Sequence, residues 1–168
     1  MDDPGQYQRA TFATGCFWDT EAAFHRVKGV IATATGYAGG SVPDPTYEKV
    51  SGGDTGHAEA VQVIFDPALV SYEELLAVFW EIHDPTQQGR QGDYTGPQYR
   101  STIYFHDAEQ ERAATASRGK VEASGRSGTK PVVPEILPVP QFWLAEECHQ
   151  QFYEKCAQGY CTTRQVDE

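Results

Sequence analysis

Basic charge is scarce in this chain: 13 Lys and Arg stand against 24 Asp and Glu in 168 residues, a formal net charge of −11. Without clustered cations, phosphate backbones and anionic headgroups find little to hold, so no nucleic acid or membrane partner is expected. Long apolar runs are also missing, none approaching the roughly 20 residues that span a bilayer. Met1-Asp2-Asp3-Pro4 is acidic where a signal peptide is basic and then apolar. These features predict a cytoplasmic location. Cysteine is sparse as well. Four residues, Cys16, Cys148, Cys156 and Cys161, are too few and too uneven for a secreted disulfide framework. Internal repeats, low-complexity stretches and linker-like charge blocks are lacking, which predicts a single domain over 1–168, with a tail of about 144–168 carrying three cysteines. A monomer is expected.

The hydrophobic pattern gives an order of elements. Arg9 to Thr14 reads as a strand ended by Gly15, and Phe17 to Val27 as a helix, so Cys16 stands at a helix N-terminus. Val30 to Gly36 alternates as a second strand. The stretch from Gly36 to Gly56 holds six glycines with Pro43 and Pro45, and predicts a long loop with a turn near Tyr47. Glu59 to Phe65 alternates again, and Ser71-Tyr72-Glu73-Glu74 opens a helix to Ile82 with a capping box. A polar loop over 84–98 precedes the strand Ser101 to Phe105, and Asp107 caps a helix reaching about Ser124. Four prolines between Pro131 and Pro140 mark an edge strand or extended segment, and Leu144 to Lys155 reads as helical. The first six elements run β-α-β-β-α-β. The fold class is α+β, a two-layer α/β sandwich with a ferredoxin-like core and an irregular C-terminal tail.

Chemistry gathers around Cys16. Unpaired N–H groups and the positive end of the helix dipole favour its thiolate, although a lone cysteine is commonly a small buried hydrophobe. Phe17 and Trp18 beside it could wall an apolar pocket for a methyl group on sulfur, or simply pack in the core. Glu59, in Gly56-His57-Ala58-Glu59, heads a strand beside the glycine-rich loop. Partial burial there would raise its pKa toward general-acid duty; solvated, it would be an ordinary surface charge. Tyr47 and Tyr99 each follow a loop that could bring a phenol to the same pocket, and each could equally be a packing tyrosine.

Taken together, these motifs resemble one family over nearly the whole chain. Gly15-Cys16-Phe17-Trp18, Gly36-Tyr37-Ala38-Gly39-Gly40, Pro45-Thr46-Tyr47, Thr55-Gly56-His57-Ala58-Glu59, Tyr72-Glu73-Glu74-Leu75-Leu76, Phe79-Trp80, His83-Asp84-Pro85-Thr86 and Gln98-Tyr99-Arg100-Ser101 are similar in order and spacing to the peptide methionine-S-sulfoxide reductases. The resemblance implies reduction of methionine-S-sulfoxide, free or in proteins, with Cys16 as nucleophile and Phe17 and Trp18 around the substrate methyl. It implies Glu59 as proton donor to the sulfoxide oxygen and Tyr47 and Tyr99 as hydrogen-bond partners of that oxygen. It implies no bound cofactor, thioredoxin as the external dithiol, and repair of oxidised proteins as the role. Cys161, in Gly159-Tyr160-Cys161, resembles the family's resolving cysteine. Cys156 is the alternative first resolver, with Cys161 then completing a relay.

The chain departs from the family pattern at two places. The aspartate typical five residues before the tyrosine of Gln-Tyr-Arg-Ser is Tyr94 here, with Asp93 one position earlier. A tyrosine common before His-Gln is replaced by Cys148, in Cys148-His149-Gln150, which is read as helical and inert. Two rival readings remain. Cys148, His149, Cys156 and Cys161 offer four zinc-type donors, but in no paired metal-ligand spacing, so no metal is assigned. Cys16 with His57 would make a Cys-His hydrolase, a reading that leaves Glu59 and the terminal cysteines without a task. His25, His83 and His106 show no ligand spacing, and no phosphate loop points to a nucleotide or flavin.

Overall fold

A computed structural model describes residues 6–157. The chain begins with β1 (Gln8–Thr14), α1 (Phe17–His25), β2 (Val30–Ala38), the short α2 (Tyr47–Ser51), β3 (Ala58–Phe65) and α3 (Tyr72–Glu81). A two-strand hairpin, β4 (Arg90–Gln91) and β5 (Tyr94–Thr95), and a 3-10 turn at Pro97–Tyr99 lead into β6 (Ser101–Phe105). There follow α4 (Ala108–Ala123), β7 (Glu135–Pro138), β8 (Phe142–Leu144), a 3-10 turn at Glu147–His149 and α5 (Phe152–Ala157). The result is a mixed α/β fold around a six-stranded sheet in the order β7-β6-β1-β3-β2-β8. β1 is antiparallel to both β3 and β6, β2 is antiparallel to β3 and β8, and β7 joins β6 in parallel.

Local chemistry explains most of the boundaries. Ser71 caps α3, its hydroxyl accepting the Glu74 N–H at 3.1 Å, and the Asp107 carboxylate caps α4 by accepting the Gln110 N–H at 2.8 Å. The proline-rich segment holds an edge position, as its missing donors require. Arg118 steers it by donating to the carbonyls of Pro134 and Val132 at 2.7 and 2.8 Å. α1, α3 and α4 cover the sheet with an aromatic core in which Phe12 of β1 stacks on Phe24 of α1 at 4.8 Å and meets Phe79 of α3 at 5.6 Å. Trp80 of α3 donates through Nε1 to Ser117 Oγ of α4 at 2.9 Å. This clamp leaves the ends of β1 and β3 as a fixed platform for the loops.

The region read as one helix from Leu144 to Lys155 is divided. Phe142–Leu144 pairs with β2, a 3-10 turn follows, and helix resumes only at Phe152. Distant partners compete successfully with local helix formation. Gln150 accepts the Thr35 N–H at 2.8 Å and donates to the carbonyls of Thr35 and Ala145, each at 3.0 Å. Gln151 adopts a φ of 48°, while its N–H and its side-chain amide donate to Glu21 at 2.6 and 2.8 Å. Among the described residues, no helix is long and apolar enough to cross a membrane.

Candidate active site

β1 delivers Cys16 to its place. Gly15 turns the chain with a φ of 115°, a conformation costly for any residue with a Cβ, and Cys16 becomes the N-cap of α1. On the neighbouring strand, Glu59 is the second residue of β3 and is only 1% exposed. Its Oε1 accepts the Phe17 N–H at 3.1 Å, so the carboxyl takes one of the orphan donors of the helix start. Glu59 Oε2 is buried with no hydrogen-bond partner among the described residues. A buried carboxyl with one oxygen bonded and the other unmet lacks the solvation that an anion needs. Burial pushes its pKa up to about 8, against the lowering effect of the Phe17 amide.

The aromatic side chains form one continuous group beside the thiol. Phe17 and Trp18 are buried, and both rings lie against Tyr47, with centroids at 6.3 and 6.0 Å. His149 completes the group, 4.4 Å from Tyr47 and 5.6 Å from Trp18. Trp18 Nε1–H donates to His149 Nδ1 at 3.0 Å, and Phe152 of α5 stacks on Trp18 at 4.1 Å. Glu146 anchors Tyr47 by accepting its N–H at 2.9 Å while also accepting the Tyr37 hydroxyl at 2.8 Å. Tyr99 reaches the site from the 3-10 turn: burial first, then the charges of Glu59, Tyr47 and Cys16, raise its phenol pKa. Cys16, Phe17, Trp18, Tyr47, Glu59 and Tyr99 therefore converge from four separate stretches of chain.

The thiol itself differs from its sequence-based expectation. Cys16 does occupy the helix start, yet its pKa is pushed up to about 12, first by burial and then by the nearby Glu59 charge. The Trp18 and Asp19 backbone N–H groups act in the opposite direction and lose, because a thiol only 6% exposed forfeits more solvation than two amides return. Cys16 rests as the protonated thiol.

A family model described as peptide methionine sulfoxide reductase matches residues 8–168. Peptide methionine sulfoxide reductase MsrA of Methanosarcina mazei is 57% identical over 156 residues, covering 92% of this chain and 74% of that protein. The MsrA of Geobacter metallireducens is 54% identical over 161 residues, covering 96% of this chain and 99% of its own. The chain belongs to the peptide methionine sulfoxide reductase family. It is an oxidoreductase of the methionine sulfoxide reductase class. Among solved structures, Mxr1 of Saccharomyces cerevisiae in its reduced form superposes with a TM-score of 0.84 at 34% identity, over 97% of this chain and 93% of that one. Mxr1 has also been solved in complex with Trx2; that structure matches with a TM-score of 0.62 at 24% identity over 90% of this chain and 88% of that one.

Cys148 lies on a single 3-10 turn rather than in an α-helix, and it is exposed, because the contacts of His149 and Gln150 fix the neighbouring residues and turn Cys148 outward. Cys156 lies half-buried on α5 and packs against the core cluster. Cys161 lies outside the described residues. His149 is buried with Nδ1 committed to Trp18, and among the described residues no three potential ligands gather around a metal position. His57 accepts the Gly40 N–H at Nδ1 (3.0 Å) and donates from Nε2 to the Val42 carbonyl (2.7 Å), which leaves no ring nitrogen to serve Cys16 as a base. Glu146 and His149 are the contributors that sequence reasoning missed as parts of the pocket. Only the His149-Gln150 pair carried a signal for them, and nothing local marks Glu146.

Proposed function

We propose that this chain reduces the S epimer of methionine sulfoxide, free or within proteins, through a sulfenic acid on Cys16. The single observation that carries the mechanism is Glu59, a buried carboxyl lifted to about 8 beside the thiol, and hence protonated at neutral pH. A sulfoxide sulfur is a poor electrophile until its oxygen is protonated or strongly hydrogen-bonded. Phe17 and Trp18 receive the methyl group, the hydroxyls of Tyr47 and Tyr99 donate to the sulfoxide oxygen, and Glu59 supplies its proton there. As Cys16 Sγ bonds to the substrate sulfur, the thiol proton replaces the one given up by the carboxyl. The oxygen then passes to Cys16. Methionine leaves as a thioether reduced by two electrons, and Cys16 remains as a sulfenic acid oxidised by two.

Recycling follows from ordinary thiol chemistry. A second cysteine displaces water from the sulfenic acid and forms a disulfide, which an external dithiol exchanges back to two thiols. Cys161 is the first choice as resolver. Cys156 is the alternative, or the first member of a relay ending at Cys161. Thioredoxin is the proposed reductant and partner, a reading supported by the complex of Mxr1 with Trx2. No bound cofactor is invoked. The chain is taken as one catalytic domain, a cytoplasmic monomer repairing oxidised proteins, with β6-β1-β3-β2, α1 and α3 as a ferredoxin-like core.

Single-turnover chemistry tests this proposal. In a variant with Cys148, Cys156 and Cys161 all replaced by Ser, one methionine is expected per Cys16 oxidised, with dimedone trapping a sulfenic acid at Cys16 by mass spectrometry. Methionine release without an adduct at Cys16 would overturn the mechanism.

A further inference from the structure

The hairpin that carries Tyr94 lies against the reactive cysteine and has had no part in the chemistry so far. Gln91 pairs with Tyr94 across the hairpin. Gly15, the residue before Cys16, is so close to the hairpin that a Cβ there would stand 2.9 Å from Gln91 Cβ. The hairpin thus packs on the strand end from which Cys16 springs. The cleft beside Cys16 is lined by Asp19 and Thr20 from α1, by His83, and by Gln91, Asp93 and Tyr94 from the hairpin. The Tyr94 ring tilts against the Tyr99 ring at 5.2 Å, and Tyr94 and Cys16 line the same cleft, close enough for the charge of the thiolate to raise the phenol pKa.

We propose that Tyr94 is a further catalytic residue, whose phenol O–H donates a hydrogen bond to Cys16 Sγ, stabilises the thiolate as it forms and orients the sulfur for attack. The inference rests on the sulfoxide reductase reading of the site. An uncharged donor suits this position, because Cys16 already faces the carboxyl groups of Asp19 and Glu59 and a third acid would oppose thiolate formation further. The Tyr94 pKa is itself pushed up to about 12, first by the Cys16 charge and then by burial, so the hydroxyl keeps its proton through the neutral range. No proton leaves Tyr94 in this role. The ring is 38% exposed, so the contact can open to admit a resolving thiol without unpacking the core.

Tyr94→Phe removes only the hydroxyl and keeps the ring against Tyr99. The titratable groups facing the pair are Asp19 from α1, Glu59 from β3, His83 after α3, Asp93 in the hairpin, Tyr99, and Tyr153 from α5, and all remain in the variant. The readout is the rate of iodoacetamide alkylation of Cys16 in the full chain, followed on the Cys16 peptide by mass spectrometry. Between roughly pH 7 and pH 10, below the midpoint of the thiol, that rate tracks the thiolate fraction. The variant is expected to alkylate about tenfold more slowly across this window, equivalent to a thiol pKa raised by about one unit. Its kcat/KM for the S sulfoxide is expected to fall by a similar factor. An unchanged alkylation rate in the folded variant overturns the contact, and a slowed rate with unchanged kcat/KM overturns the catalytic role. Because alkylation needs no sulfoxide, failure of this contact is separable from failure of the reductase reading, which intact protein tests by its own turnover.

Discussion

At the residue scale, Glu59 controls two measurable properties of the protein. Its carboxyl is raised to about 8 by burial, whereas an unfolded chain releases the same proton near the ordinary value of 4.5. Between these values the folded state binds more protons than the unfolded one, so the contribution of Glu59 to stability falls as pH rises through that window and levels off above it. Glu59→Gln removes this dependence. The variant is expected to gain thermal stability relative to the wild type as pH is raised from about 5 to 9, and a melting-temperature series across that range checks it. Its turnover is expected to drop by about 10²-fold or more, as loss of a general acid does, and to lose the decline in kcat above a pH of about 8 that is expected of the wild type. The residues that gather around Cys16 were legible because each stands in a motif. The state of the Cys16 thiol was not, because a helix start is visible in the sequence while the degree of burial that defeats it is a tertiary property.

At the element scale, the end of the described chain is where periodicity misleads. The apolar spacing of the stretch from Leu144 to Lys155 is compatible with a helix, but Gln150, Gln151 and Glu146 find partners on β2, α1 and α2 that no window of neighbouring residues discloses. Gln150→Ala would leave the Thr35 N–H buried without its acceptor and is expected to cost roughly 1–3 kcal/mol, read from urea unfolding. Asp107→Ala, which removes only the cap of α4, is expected to cost about 1 kcal/mol by the same measurement. Elements with strong local signals, such as α3 behind Ser71 and α4 behind Asp107, follow the sequence to within a residue or two. The short α2 appears where only a turn was anticipated, because Thr46 caps it by accepting the Lys49 N–H at 3.3 Å and Glu146 holds its first amide.

At the scale of the whole molecule, the sheet brings together residues that lie far apart in sequence. β1 and β3 are neighbours because the β2–β3 hairpin folds back along β1, and this alone places Glu59 beside Cys16. The order of elements was largely readable from periodicity, but the parallel docking of β7 on β6 and the antiparallel docking of β8 on β2 depend on contacts of long range. The proposed mechanism separates reduction of the sulfoxide at Cys16 from recycling by a second cysteine. Cys161→Ser is accordingly expected to retain reduction of sulfoxide when dithiothreitol is the reductant, and to lose most turnover, about tenfold or more, when thioredoxin replaces it, since the small dithiol can attack the sulfenic acid directly. Parallel assays of Cys156→Ser with thioredoxin distinguish a direct route to Cys161 from a relay.

The role proposed for Cys16 is reduction of one epimer of methionine sulfoxide. Its most direct test is dithiothreitol-dependent turnover of separately resolved S and R methionine sulfoxide by intact protein and by Cys16→Ser. Turnover of the S epimer alone, abolished in Cys16→Ser, is the predicted result; folded intact protein that reduces neither epimer, or a Cys16→Ser variant that still reduces the S form, would contradict it.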